Sequence, residues 1–571
     1  MRGRPSENTS PKKPNLVNYE EAYSSFKWED AEKELGWSEA GKINLAFAGI
    51  DRNVLAGKGE KIAFVYDDFN RREFYTYNDL QELSNCFGNA LKKMGILKGE
   101  RVVIFLPRNP EFYISFLSIV KIGAVAVPLY AGYMSGAIND ILEDSQPSAL
   151  ITTPLLLQRI SSRLLSAFKA VIVVGSGENS GTVADWYKMI AESENTPATE
   201  WVNPEEPMLL MYTSGSTGKP KGALHVHKSG LQLYQTGKWV LDLQEGDVFW
   251  CTADPGWVTG ISYGIWAPLL NAATSVIYGG EFQAEKWYAV LEKYRVSIWY
   301  TTPTSLRKLI AAGDNLMHNY NLTSLRHILS VGEPLNPMVI RWVQQKFGLT
   351  VHDTWWMTET GAQIIANFPC LPVKPGSMGK PIPGVYATII NEQGKELPPL
   401  EMGQLAVRKG WPAMMRGIWN DPEKYAEYFR LPPWYLSGDL AYRDADGYFW
   451  FQGRADDVIK TGGERVGPFE IESKLVEHPA ILEAGVIGKP DLMRGEKIKA
   501  FIVLHPNYTW SPKLKREVQN FIADTLAAHL VPEEIEVVES LPRTKSGKLM
   551  RRVLKARELG IPLEPPPTLD E

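Results

Sequence analysis

From Arg101 onward, short apolar runs alternate with stretches of helical period, and this alternation limits the possible folds more than any other feature of the chain. RVVIFL (Arg101–Leu106) reads as a strand, Pro110–Ile122 as a helix with proline in its first turn, and Ala124–Pro128 as the next strand. An amphipathic helix carrying Ile138, Ile141 and Leu142 then leads to SALIT (Ser148–Thr152). Strand–helix–strand order of this kind predicts a parallel sheet with helices on its faces. The second half repeats the scheme, with Trp287, Val290, Leu291 and Tyr294 at helical spacing before a strand at Ser297–Thr301. His327–Val331 reads as a strand that ends in Gly332, Glu333 and Pro334. Thr350–His352 reads as a short extended run that ends in a loop, DTWWMTETG (Asp353–Gly361). In open α/β sheets ligands sit beyond the carboxyl ends of the strands, so these loops are expected to converge.

A chain of 571 residues exceeds what one hydrophobic core supports, so more than one domain is expected. The first 17 residues are polar and basic and read as a disordered tail. A helical, aromatic-rich lid or strut follows at Asn18–Trp37. Short alternating strands with turn residues at Asn391–Gly394 and Asp446-Gly447 predict a β-rich subdomain over about 375–455. Helix and strand patterns then mix (Phe469–Glu477, Ala484–Gly488, Lys499–Leu504, Pro512–Ala527) in a tail unit of small-domain size, with the boundary placed at Asp456. The predicted class is therefore α/β: a large N-terminal domain (18–455) of doubly wound mixed or parallel sheets, plus a small, mobile α+β C-terminal domain (456–571).

The stretch YTSGSTGKPKG (Tyr212–Gly222) directly follows the apolar run MLLMY and carries the strongest chemical signal. Gly215, Gly218 and Gly222 permit a sharp turn and close approach to a ligand. Thr213, Ser214, Ser216 and Thr217 bring hydroxyls, and Lys219 and Lys221 bring charge, a set suited to a polyphosphate. The spacing is not that of the common P-loop, because Gly215 and Gly218 are three apart and Pro220 follows the lysine. GSGENSG after Ala170–Val174 places its third glycine, Gly181, one residue late for a dinucleotide fingerprint and reads as a surface loop.

A net charge of −5 gives no basic surface for nucleic acid. Cys86, Cys251 and Cys370 match neither a metal spacing nor a disulfide framework, which points to a reducing interior. The most apolar region, Phe112–Tyr130, is interrupted by Lys121 and Pro128 and too broken to span a bilayer, so a soluble, cytoplasmic protein without nucleic-acid or membrane partners is expected.

YTSGSTGKPKG, the GEP loop, DTWWMTETG, Ser437–Asp439 (SGD), Gly453–Asp457 (GRADD), Gly463–Gly467 (GERVG) and Ser546–Lys548 (SGK) occur in this order between about residues 208 and 552. The set resembles the adenylate-forming enzymes: acyl-CoA synthetases, luciferases and the adenylation domains of peptide synthetases. TADPGWVTG (Thr252–Gly260) and Trp355-Trp356 resemble the acetyl-CoA synthetase branch, and the length resembles its shorter bacterial form.

The resemblance implies attack of a carboxylate on the α-phosphate of ATP, giving acyl-AMP and pyrophosphate, and then displacement of AMP by the thiol of coenzyme A. It implies that residues Thr213 to Lys219 (Gly215, Ser216, Thr217 and Gly218 among them) and Thr358 hold phosphates, and that Glu359 holds Mg²⁺, a hard cation needing one or two protein ligands. It places adenine between Gly332, Glu333, Pro334 and the run Asp353, Thr354, Trp355, and counts the following Trp356 and Met357 among the cofactor-binding residues. Asp439 and Arg454 would take the ribose, Arg465 a phosphate, and Lys548 the transferring α-phosphate. Trp257, Val258, Thr259, Val331 and Trp356 would wall a pocket sized for acetate. Propionate differs by one methylene, and a carrier-protein acceptor or a silent nucleotide sensor are the more distant readings. Asp456 would be the hinge, Gly462 and Gly463 would face the pantetheine arm, and His478 would hold a second cation. Read without the resemblance, Lys548 is a surface lysine. Acetylation would remove its charge, which makes a lysine acetyltransferase and deacetylase the expected protein partners.

Overall fold

The computed structural model describes residues 12–37, 41–176, 183–214, 220–461, 464–491, 493–543 and 549–561; of Ser214, Glu464 and Arg465 only the backbone is described. The surface-loop reading of GSGENSG falls largely outside them.

The apolar runs form the inner strands of two large sheets. The first, eight-stranded among the described residues, runs Gly417–Ile418, Pro220–Val226, Pro207–Ser214, Val125–Pro128, Arg101–Phe105, Ala149–Thr152, Ala170–Val173, Val183–Asp185. It is parallel except for the hairpin Pro207–Ser214/Pro220–Val226 and the edge strand Gly417–Ile418. The second, nine-stranded, has a parallel centre made of Val351–Trp355, His327–Ser330, Ile298–Thr301, Val248–Cys251, Thr274–Tyr278 and Ile62–Asp67. Antiparallel strands close both its edges.

Side chains that alternate along each strand enter different cores. Val102 and Ile104 join Ile298, Tyr300 and Leu329 in one cluster shared by both sheets, whereas Val103 and Phe105 face the first sheet's outer helices and Trp299 the second's. The helix Pro110–Lys121 is buried along its whole length. That includes Lys121, whose ammonium lies 3.0 Å from Asp51 and donates to Ser84 at 3.0 Å, so its charge is not left unpaired.

A four-stranded antiparallel sheet (Ala387–Ile390, Gly403–Arg408, Trp434–Arg443, Phe449–Arg454) carries SGD and the start of GRADD. Beyond it a further sheet (Glu464–Val466, Ile459–Thr461, Gly495–Leu504, Ile481–Asp491, with Glu534–Val537 alongside) packs with Pro468–Leu475 and Pro512–Thr525 around its own apolar cluster.

The aromatic segment near the N-terminus is a strut of two short helices, Tyr19–Ser25 and Trp28–Leu35. Tyr19 donates to the Pro381 carbonyl at 2.8 Å, Trp28 to that of Gly384 at 3.1 Å, and Phe26 meets Trp239 edge to face. The tail expectation is corrected over residues 12–17. Leu16 is buried, and Asn15 bonds Asp242 and the carbonyls of Lys238 and Leu243, which repays the entropy of ordering that segment. No described helix is long and apolar enough to cross a membrane.

Candidate active site

One expectation changes where the motifs begin. DTWWMTETG does not start as a loop: the strand Val351–Trp355 continues through Asp353, Thr354 and Trp355. It pairs with His327–Ser330 on one side and Ile365–Ala366 on the other. Aspartate is a poor strand former, but the Asp353 carboxyl accepts from the Ser330 hydroxyl on the neighbouring strand. Burial pushes its pKa up to about 7. Tyr300 is the hub under this strand, bonding Thr354 Oγ1 at 2.7 Å and accepting from Trp356 Nε1 at 3.1 Å and Gln363 at 3.2 Å.

Trp355 points its indole N–H at Asp439 Oδ2, 2.8 Å away. Asp439 faces Arg454 across the strand pair Trp434–Arg443/Phe449–Arg454, at 3.1 Å between charged groups. Gly438 is held at φ +76°, and an added Cβ would lie 3.0 Å from the Arg454 guanidinium, so SGD requires its glycine. The predicted adenine strand and the predicted ribose pair therefore meet at one place.

After Met357 the chain makes a tight turn, Thr358–Thr360, closed by Gly361 in the left-handed region. The turn is gripped from several sides. Trp411 donates to the Thr360 carbonyl at 2.9 Å, Ser262 to that of Gly361 at 2.9 Å, and the Met415 N–H to that of Glu359 at 3.0 Å. The Glu359 carboxylate accepts from Tyr428 at 3.1 Å and forms no ion pair among the described residues. His225 packs beside Gly361 and is held neutral by burial, its pKa lowered to about 4. A Cβ on Gly361 would meet the Ala413 carbonyl at 2.1 Å. Gly361→Ala is thus expected to cost about 1–3 kcal/mol in backbone strain alone, read as a lowered denaturation midpoint with nucleotide binding lost in parallel.

Gly215, Ser216, Thr217, Gly218 and Lys219 lie outside the described residues, but the hairpin that brackets them does not. Thr213 pairs with Lys221, and Ser214 with Pro220. Residues 413–419 form a strap along it. Trp419 N–H donates to Gly222 O at 2.7 Å and Arg416 N–H to Leu224 O at 2.8 Å, while Met415 reaches Glu359. The bracketing hairpin and the Glu359 turn are thereby tied together, although they arise from different sheets.

In the GEP loop Gly332 has φ +87°, and Glu333 is clamped by Arg307 at 2.6 Å and by the Thr304 N–H at 3.3 Å. Val258, Val331 and Trp356 share the core between the sheets, with Tyr263 edge-on to Trp356 at 5.1 Å. Thr259 lies on the same short helix as Val258. Trp257 turns the other way, tilting onto Tyr130 at 5.3 Å within the first sheet's outer cluster.

In the C-terminal unit, Asp456 is exposed and 3.4 Å from Arg454. His478 accepts the Ala480 N–H on Nδ1 and lies edge-on to Phe521. No group of three or more His, Cys, Asp or Glu able to hold a metal occurs among the described residues. Arg465 occupies the strand Glu464–Val466, opposite Lys460. Gly462, Gly463 and Lys548 lie outside the described residues. Tyr300, Tyr428, Arg307 and His225 belong to the site but to no motif read from the sequence; their roles arise only from contacts between distant segments.

The AMP-binding enzyme family model matches residues 51–419, and the AMP-binding enzyme C-terminal domain model matches 470–548. The acetyl-coenzyme A synthetase of Bacillus subtilis (strain 168) is 56% identical over 550 residues, 96% of each chain. That of Methanothrix thermoacetophila is 39% identical, over 92% of this chain and 85% of its own. Among solved structures, an anthranilate CoA ligase in complex with anthranoyl-AMP superposes with a TM-score of 0.84 at 30% identity, covering 93% of this chain and 99% of its own. The sequence motifs, the paired sheets and these matches agree, and the chain belongs to the AMP-binding enzyme family, that of the adenylate-forming enzymes.

Proposed function

We propose that this chain is an AMP-forming acetate–CoA ligase, converting acetate, ATP and coenzyme A to acetyl-CoA, AMP and pyrophosphate. The observation that carries the reading is the meeting of Trp355, Asp439 and Arg454 beside the Glu359 turn. An ionised Asp439 is acceptor-only, so it would take ribose hydroxyls as donors.

Bringing an anionic carboxylate to an anionic phosphate is the central difficulty, so positioned cations matter most. Thr213, Ser214, Lys219, Thr358 and Arg465 would hold phosphate oxygens, with Lys548 meeting the charge that develops at the α-phosphate. The Glu359 carboxylate, bonded only by a neutral tyrosine among the described residues, fits Mg²⁺, which when bound would supply positive charge to offset that of the phosphates. Trp356, fixed by Tyr300, would close the acyl pocket against Val258 and Val331. The small C-terminal domain would turn about Asp456 between half-reactions, bringing Gly462 and Gly463 to the pantetheine arm. The assignment includes a cytoplasmic location and control by acetylation of Lys548.

AMP release measured across acetate, propionate and butyrate, with and without coenzyme A, tests the reading. Coenzyme A-dependent release greatest with acetate is expected. One methylene is worth ~1–3 kcal/mol in such a pocket, so a propionate maximum would move the substrate by one carbon. Release that does not depend on coenzyme A would overturn the ligase assignment.

A further inference from the structure

The small C-terminal unit touches the body in two distinct ways. Close to where the chain crosses over, Phe451 meets Phe469 edge to face at 5.6 Å and Gly467 packs against the Gln452 carbonyl. Far along the chain from that crossing, two ion pairs among the described residues join the units, and both start from the segment that follows the strand His327–Ser330. Glu333 of the GEP loop lies 4.0 Å from Arg543, and Arg341, on the helix Pro337–Phe347, lies 3.8 Å from Glu477. Arg543 also bridges to Leu549, so these two residues bracket the segment that contains Lys548.

The polarity is crossed: the body supplies the acid in one pair and the base in the other. A rotated docking that set Glu333 against Glu477, or Arg341 against Arg543, would bring like charges together. The distances divide just as clearly. Glu333 keeps a 2.6 Å pair with Arg307 inside the body, Arg543 a 2.6 Å pair with Glu483 inside the small unit, and Glu477 a 3.2 Å pair with Lys474. The fourth partner, Arg341, is half exposed at 54%. Among the described residues, separating the units therefore strands no buried charge, the event that makes broken ion pairs costly. The crossing pairs are long and partly solvated, in the range where one pair contributes little. An interface that must open in every catalytic cycle requires that combination.

We propose that Arg341, Glu477 and Arg543 are positioning residues for the first half-reaction: with Glu333 they form a keyed, weak electrostatic latch that seats the small C-terminal unit, through Arg543 and Glu477, against the GEP loop and the helix that follows it. The proposal rests on Lys548 being the adenylation lysine. None of the three touches a reacting atom. Their effect is on the population of one docked pose, so they alter the two half-reactions unequally.

The test uses the full-length enzyme with two assays, acetate-dependent ATP–pyrophosphate exchange and thioester formation from supplied acetyl-AMP. Arg341→Glu is expected to lower exchange by about fivefold, the upper range for one exposed pair, with thioester formation unchanged or faster. The charge swap Arg341→Glu with Glu477→Arg is expected to bring exchange back to within about twofold of the parent. Arg543→Gln should show the same selective loss, and Arg543→Lys should not. Equal loss of both half-reactions in Arg341→Glu, or a swap that fails to restore exchange, overturns the latch. Lys548→Ala run alongside separates the two ideas, since intact exchange in that variant condemns the lysine assignment whatever the swap does.

Discussion

Lys548→Ala is expected to lower acetate-dependent pyrophosphate exchange by about 10²-fold or more, on the scale of deleting one donor from an oxyanion site. Thioester formation from supplied acetyl-AMP should change little. The asymmetry follows from the chemistry. Only the first step makes and breaks bonds at the α-phosphorus, crowding the incoming carboxylate and the departing pyrophosphate around it. In the second the thiol, losing its proton, attacks the acyl carbon and the C–O bond breaks, so AMP leaves as the dianion with no bond to phosphorus changed. The ammonium is then needed in one docked pose and not in the other. Acetylation of the same nitrogen removes the same charge, so modified enzyme isolated from cells should share the phenotype. Mass spectrometry that found Lys548 acetylated in fully active enzyme would remove the regulatory part of this reading, and equal loss of both half-reactions in Lys548→Ala would remove the two-pose scheme.

The second large effect is expected from Trp356→Gly. The indole is 8% exposed, packs against Tyr263, and spends its N–H on Tyr300. Removing it leaves Tyr300 bonded to Thr354 and Gln363, so the hub survives and the loss is chiefly one of volume. Deleting a buried aromatic ring typically costs about 3–5 kcal/mol when nothing fills the space. A longer acid can fill it, at ~0.8 kcal/mol for each buried methylene, or about fourfold in affinity per carbon. The expected profile is a fall in kcat/KM for acetate with a rise for acids of four to six carbons, and a lowered stability partly recovered when such an acid is present. An unchanged chain-length profile would show that the acyl pocket lies elsewhere, for example on the Trp257 side against Tyr130.

The two-sheet core was legible because its signal is local. Val102 to Phe105 and Ile298 to Tyr300 are apolar at every step, and only burial on both faces tolerates that. The order of the motifs was legible for the same reason, each being a few residues at a strand end. Three features escaped because no short window contains them. The strand through Asp353 looked finished at His352 because its aspartate is satisfied by Ser330, on a different strand. The strap 413–419 has no motif, and its role is written in the carbonyls of Gly222, Leu224 and Glu359. The tail residues 12–17 look like a solvated basic end until Asn15 finds its partners more than two hundred positions away. In each case the missing half of the interaction lies far off in the sequence.

The strap has a thermodynamic consequence. A single short segment is bonded both to the hairpin strand Pro220–Val226 on one sheet and to the Glu359 carbonyl on the other, so order at that strand and at the Glu359 turn is coupled. A nucleotide fragment that engages either one alone already meets part of the ordering cost for both. Tripolyphosphate, which has no base or sugar, should therefore slow hydrogen exchange at Met415 as well as in the glycine-rich hairpin.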